Sequence, residues 1–187
     1  MQKIILASQS PRRSQLLSWA EVPFEVLVTG ADESFPDGLS FEETAIHIAR
    51  NKALAAKSLA SGKLPVLAAD TIVIWNNQVI GKPADRDDAI RILTSLAGSH
   101  HRVTTGVVIL HEKKEIAFAE TTEVSFHPLT KEQIEFYVDQ YKPYDKAGAY
   151  AIQEWIGVVG IRSIQGDFYN VMGLPVSRVV QALQQLG

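Results

Sequence analysis

The chain has 187 residues, 46% of them hydrophobic and 21% charged, and 18 basic against 21 acidic side chains give a net charge of −3. At roughly 150 residues per domain this length fits one compact unit or two lobes sharing a core. The charge balance excludes a disordered acidic tail and a generally basic nucleic-acid coat, and the absence of cysteine removes disulfides, thiolate catalysis and cysteine-based zinc sites.

Strand-like and helix-like patterns alternate along the chain, which favours an α/β class. Residues 4–7 read as a buried strand entering a polar loop; they are too short an apolar stretch for a signal peptide. Ser10 then stands as an N-cap with Pro11 at the first helical position, opening a short helix to about Trp19. Phe24, Val26 and Val28 alternate with Glu25 and Leu27 as a half-buried strand, and a loop with Asp32, Glu33, Pro36, Asp37 and Gly38 follows. Ser40-Phe41-Glu42-Glu43 is a capping box, predicting a helix to about Ala60. Residues 64–75 form a long apolar strand, and Asn76-Asn77 suits a hairpin turn before Gln78-Val79-Ile80. Residues 85–97 are helical in pattern and stopped by Gly98; 101–111 and 115–127 are strands joined by the charged turn Glu112-Lys113-Lys114. Thr130-Lys131-Glu132-Gln133 is a second capping box, for a helix to about Tyr141. Residues 158–164 are strand-like, Gly166-Asp167 is a turn, and Pro175 opens a last helix with Val176, Val179, Val180 and Leu183 on one face. No apolar run approaches the roughly 18 residues of a membrane span. A cytoplasmic globular protein is expected, with neither membrane nor nucleic acid as partner.

Three placements break local rules, and such breaks mark function or strain. Arg12 and Arg13 lie in the first turn of a helix, where the positive end of the macrodipole disfavours cations. A bound phosphate would reverse that sign by drawing together backbone N–H groups, Ser8, Ser10 and two guanidiniums; the alternative is a capped helix with its arginines in water. Lys52 falls within the apolar stripe Phe41, Ala45, Ile48, Lys52, Ala55 and Leu59. Its head must either snorkel to water or meet an anion. Asp70 interrupts the apolar run Val66-Leu67-Ala68-Ala69-Asp70-Thr71-Ile72-Val73-Ile74. A charge there is costly unless paired or metal-bound, which favours a functional carboxylate over a hydrogen-bonded sheet corner. No Gly-x-x-x-x-Gly-Lys loop and no Gly-x-Ser-x-Gly elbow occurs, which sets aside P-loop nucleotidases and the common serine hydrolases.

The same places carry a family resemblance. Ser8-Gln9-Ser10-Pro11-Arg12-Arg13 resembles the opening signature of the Maf family of nucleoside triphosphate pyrophosphatases. Ala69-Asp70-Thr71-Ile72-Val73, Gly81-Lys82-Pro83, Asp145-Lys146-Ala147-Gly148-Ala149-Tyr150-Ala151-Ile152-Gln153 and Gly173-Leu174-Pro175 resemble its later motifs in order. Asp70-Thr71 with Gln153 is similar to the branch acting on dTTP and UTP, and fits the 7-methyl-GTP branch less well. The resemblance implies an inosine-triphosphatase-like (Maf/Ham) fold: an elongated mixed sheet flanked by helices, one domain over residues 1–187 with two lobes around a central cleft. It also implies a divalent metal, magnesium or manganese, a homodimer, and an association with arrest of septum formation.

Carried over by position, the resemblance makes Asp70 the proton acceptor and a metal ligand together with Glu33. Arg12, Thr71 and Gln153 would set base preference, and Ser8, Arg13, Lys52 and Lys82 would line the phosphate path. Two positions depart from the family pattern: Gln9 stands where glycine is frequent, and Glu154 follows Gln153 where glycine is usual. A non-catalytic nucleotide-binding regulator is the rival class, and retention of Asp70 and Lys52 counts against it.

Overall fold

The computed structural model describes residues 2–60 and 62–186. Strand β1 (Ile4–Leu6) is buried along its whole length and pairs in parallel with β2 (Phe24–Val26) and, on its other side, with β3 (Val66–Trp75). Helix α1 (Pro11–Trp19) has Pro11 in its first turn, where a missing N–H leaves nothing unsatisfied. Ser10 holds the N-cap position, but its side chain makes no capping bond; its N–H donates to Ser8 Oγ at 3.1 Å. Helix α2 (Phe41–Leu59) starts with the expected reciprocal pair, Glu43 N–H to Ser40 Oγ and Ser40 N–H to the Glu43 carboxylate.

Strand β4 (Gln78–Ile80) returns antiparallel on β3 through Asn76 and Asn77, at φ 49° and 57°. Both residues tolerate the left-handed region that a tight two-residue hairpin requires. Helix α3 (Arg86–Leu96) is capped by Asp85, which accepts from Asp88 N–H. Strands β5 (His100–His111) and β6 (Lys114–Phe126) are long neighbours joined by two residues. Helix α4 (Lys131–Tyr141) carries the second capping box. A 3-10 turn at Ala147–Ala149, α5 (Trp155–Gly160), β7 (Ile161–Gln165), α6 (Phe168–Met172) and α7 (Val176–Gln184) complete the chain. Among the described residues seven strands make one mixed sheet in the order β2-β1-β3-β5-β6-β7, with β4 on β3 and β7 antiparallel to β6. None of the described helices is long and apolar enough to cross a membrane.

The chain divides into two compact units, Met1–Thr71, Thr105–Glu120 and Gly173–Gly187 in the first, Ile72–Thr104 and Thr121–Met172 in the second. In the first, Ala49, Ala53 and Ala56 of α2 lie against Ile5, Ala7, Val66, Ala68, Val108 and Leu110. Small residues let this helix ride close to the strands. A Cβ on Gly106 would stand 2.3 Å from the Ala45 carbonyl carbon, so glycine alone fits there. In the second unit, α3 packs on α4 and on the 3-10 turn, burying Ile92, Leu93, Leu96, Ile134, Tyr137 and Val138.

Three sequence expectations need correction. Leu59 is 66% exposed, because the face of α2 toward the strands runs Ala49, Ala53, Ala56 and Ala60, one position off the proposed stripe. Val26 and Val28 are exposed and Leu27 packs on the core, since β2 is the outermost strand on its side of the sheet. Residues 158–160 are helical rather than extended: the Glu154 carbonyl accepts from the N–H groups of Gly157 and Val158, so the chain coils before it extends at Ile161. A short apolar run fits either state, and here a local hydrogen bond decided it.

Candidate active site

The first unit holds seven of the nine expected residues, around the start of α1, the middle of α2 and the centre of β3. Lys52 comes off α2 with its stem buried, and its Nζ meets two carboxylates, Asp70 Oδ1 at 2.6 Å and Glu33 Oε1 at 2.8 Å. The Lys52 and Asp70 side chains are 17% and 15% exposed, so the pair is mostly desolvated. Glu33 reaches in from the loop before α2 and is 59% exposed. The open question about Lys52 is thereby answered in favour of an anion. Asp70, set inside strand β3, is in turn matched by the Lys52 ammonium from α2, which is how a low-dielectric site tolerates a carboxylate.

The two arginines of α1 separate. Arg12 is half-buried, whereas Arg13 is buried. The Arg13 guanidinium donates from Nε to the Gly173 carbonyl at 2.8 Å, from Nη1 to Ser8 Oγ at 3.1 Å, and from Nη2 to Thr71 Oγ1 at 3.1 Å. Burial lowers its pKa from the ordinary arginine value, and the negative charge of Asp70 works against that shift. Thr71 Oγ1 also stands 2.9 Å from Thr105 Oγ1. Ser8, buried just after β1, therefore accepts from both Arg13 and the Ser10 N–H. A hydroxyl that accepts twice keeps its own proton to donate.

Lys82 and Gln153 belong to the second unit, and both are exposed. Gln153 sits in a segment fixed on either side. The buried Tyr137 hydroxyl accepts from Ala151 N–H at 3.1 Å and donates to the Glu154 carboxylate. Lys146, also buried, lies 2.8 Å from Asp145 Oδ1 and 3.8 Å from Glu154 Oε1. Glu154, which departs from the family pattern, thus ties Tyr137 and Lys146 together beside Gln153. A further buried pair, His101 Nε2 and the Tyr150 hydroxyl at 2.7 Å, anchors the same motif to β5. Burial lowers the His101 pKa to about 4, helped by the neighbouring His100, and raises that of Tyr150. A cavity of about 480 Å³ in this unit, lined by Asn76, Asn77, His100 and Glu123 among others, holds none of the expected residues.

Sequence reasoning missed Thr105, the Gly173 carbonyl, Tyr137 and Lys146. Lys146 and Gly173 carried a signal, each lying in a quoted motif.

A mixed sheet flanked by helices, with a buried ammonium–carboxylate cluster beside a polar loop and helix start, defines an α/β protein with a Ham1-like fold. The Ham1 protein of Staphylococcus aureus aligns over 98% of both chains with a TM-score of 0.52 at 15% identity, a likeness of fold. The family model described as Maf-like protein matches residues 3–186, and the chain belongs to that family. A relative from Parabacteroides distasonis, named dTTP/UTP pyrophosphatase, is 47% identical over 97% of this chain and 95% of its own. Another of that name from Porphyromonas gingivalis is 44% identical over 99% and 94%.

Proposed function

We propose that this protein hydrolyses dTTP and UTP, adding water between the α and β phosphates to release the nucleoside monophosphate and pyrophosphate. The observation that carries the reading is the Glu33–Lys52–Asp70 cluster, supported by the names of relatives that match nearly the whole chain. The reaction needs a water aligned with the leaving pyrophosphate and positive charge near the phosphate oxygens. Lys52 holds Asp70 Oδ1, which leaves Oδ2 to orient the attacking water and take its proton. The Ser8 hydroxyl, Lys52 and Lys82 are the candidate phosphate contacts. Gln153, with Arg12 and Thr71, is the candidate for base preference, because an amide matches the donor and acceptor pattern of a thymine or uracil edge.

Magnesium or manganese suits the donor set. Glu33 and Asp70 are hard oxygen donors that both reach Lys52 Nζ, so an ion there would use their remaining oxygens or displace the ammonium. Among the described residues no three histidine, cysteine, aspartate or glutamate side chains gather, so water and phosphate oxygens would complete the shell, as magnesium commonly allows. Bound there, the ion would offset phosphate charge and lower the pKa of a water. Assembly as a homodimer rests on the family resemblance, and a cytoplasmic location on the sequence expectation alone.

The test is pyrophosphate release over a panel of pyrimidine and purine nucleotides, with and without magnesium or manganese. dTTP and UTP should lead the panel, and silence across it would overturn the reading. Asp70→Asn should fold and bind nucleotide but lose at least about 100-fold in kcat; near-normal turnover would show that another group is the base.

A further inference from the structure

We infer that Arg13 is a positioning residue, a clamp that holds three chain segments around Asp70, and not a direct ligand of the triphosphate. The inference rests on the pyrophosphatase reading for its kinetic consequences, while the clamp itself rests on geometry.

All three guanidinium nitrogens already donate to protein oxygens. Their partners lie 5, 58 and 160 residues away in sequence: Ser8, Thr71 and the Gly173 carbonyl. The group is 9% exposed. To reach a phosphate it would have to use the one N–H left on each Nη, or abandon acceptors that are themselves buried or half-buried. Gly173 has a φ of +114°, and a Cβ built there would lie 3.8 Å from Arg13 Nε and 3.7 Å from Thr71 Oγ1. The C-terminal segment is thus turned so that its carbonyl faces the fork, in a conformation that favours glycine.

Each partner passes the constraint to the site. Thr71 is the neighbour of Asp70 on β3, so fixing its hydroxyl fixes the backbone that aims the carboxylate. Thr105 on β5 holds that hydroxyl from the other side at 2.9 Å. Ser8 accepts from Arg13 and from Ser10 N–H, which leaves its proton to point outward toward a phosphate oxygen. A planar fork with divergent N–H vectors can bind three segments at once, and an ammonium cannot.

A ligand and a clamp respond differently to lysine. Arg13→Lys keeps the charge and loses the fork, and Arg13→Met loses both. The clamp predicts that both variants lose at least about 10-fold in kcat for dTTP, to a similar extent. KM and the dissociation constant of inorganic pyrophosphate, measured by calorimetry, should change only through the Ser8 hydroxyl and by the same factor in both variants. A direct ligand predicts that lysine retains most of the activity, while methionine raises KM and weakens pyrophosphate binding at least about 10-fold; that outcome overturns the inference.

Thr105→Val, a near-isosteric change at a buried position away from the fork, guards against variants that do not fold. It should lower kcat several-fold at constant KM, and an unchanged kcat counts against the clamp. Melting temperatures of Arg13→Met, Thr71→Val and the double variant give a readout independent of turnover. The clamp predicts that the double variant melts well above the additive expectation, and additive shifts refute it. A wild type that releases no pyrophosphate would refute the functional reading alone, and the melting cycle would still decide the clamp.

Discussion

Replacing Lys52 with methionine separates a paired ammonium from a snorkelling one. For a snorkelling lysine the change would be neutral or slightly stabilising, because the apolar stem is kept and only a solvated head is lost. The structure gives the opposite sign, since Nζ lies 2.6 Å from Asp70 Oδ1 and 2.8 Å from Glu33 Oε1. Removing one partner of a fully buried pair costs about 3–5 kcal/mol. Both side chains here keep some contact with water, and Glu33 is 59% exposed, so we take about 2 kcal/mol. For a chain of this size that lowers Tm by roughly 4–8 °C. Asp70→Asn in the same background removes the stranded charge, and the double variant should recover at least about 1 kcal/mol relative to additivity. Thermal melts of the four proteins at pH 7.5, paired with kcat/KM for dTTP, make the assay. A Lys52→Met protein melting at or above wild type, or an additive cycle, would refute the assignment of Lys52 as the counter-ion of Asp70.

The pH dependence of stability should carry the signature of His101. Its folded pKa, lowered to about 4 by burial, lies below the 6.5 of an exposed histidine, so the unfolded chain binds the extra proton first. Stability is therefore full above pH 6.5 and falls as pH drops toward 4, by on the order of 3 kcal/mol. His101→Gln should flatten that limb in chemical denaturation at pH 7 and pH 4.5, and an unchanged slope would point to other groups. Gln153→Glu should narrow the dTTP-over-dCTP ratio of kcat/KM, because a carboxylate accepts from the cytosine amine but cannot donate to thymine O4. The same ratio in mutant and wild type would move base reading to backbone groups near Arg12 or Thr71.

Elements begun or ended by a local chemical signal were legible in the sequence. The capping boxes at Ser40 and Thr130, the Asn76-Asn77 hairpin and Pro11 at the helix start each use a few adjacent residues to satisfy or omit particular backbone bonds. Elements decided by packing were less so. Leu59 fits a 3.6-residue stripe as well as Ala60 does within the drift of a 19-residue helix, and only the strands beneath select between them. Val158 and Val159 read as a strand by β-branching, yet one turn of helix follows from bonds to the Glu154 carbonyl. Helix α6 is hidden in the sequence because Asp167, whose Oδ1 accepts from Tyr169 N–H at its start, follows Gly166 in a pair that reads equally well as a turn.

The legible part of the candidate site shares one property: each residue is a charge set into an apolar periodic pattern. Lys52 interrupts a helix face and Asp70 a strand, and the two meet each other. Arg13 obeys the same rule. It precedes Leu16 and Leu17 by three and four positions, the spacing that puts all three on one helix face, and all three are buried. Arg12 is turned by about 100° from it, which is why one arginine of the pair enters the core and the other does not. The partners of these charges had no such mark. Thr71 and Thr105 are β-branched residues in strands, where threonine is ordinary, and the Gly173 carbonyl belongs to every glycine alike. A sequence exposes a buried charge through the pattern it breaks, whereas the neutral groups that satisfy it emerge only when segments 34, 102 and 160 residues apart are brought together. The clamp at Arg13 is therefore where structure adds most to the sequence: the periodicity places a cation in the core, and the fold supplies the oxygens that hold it there.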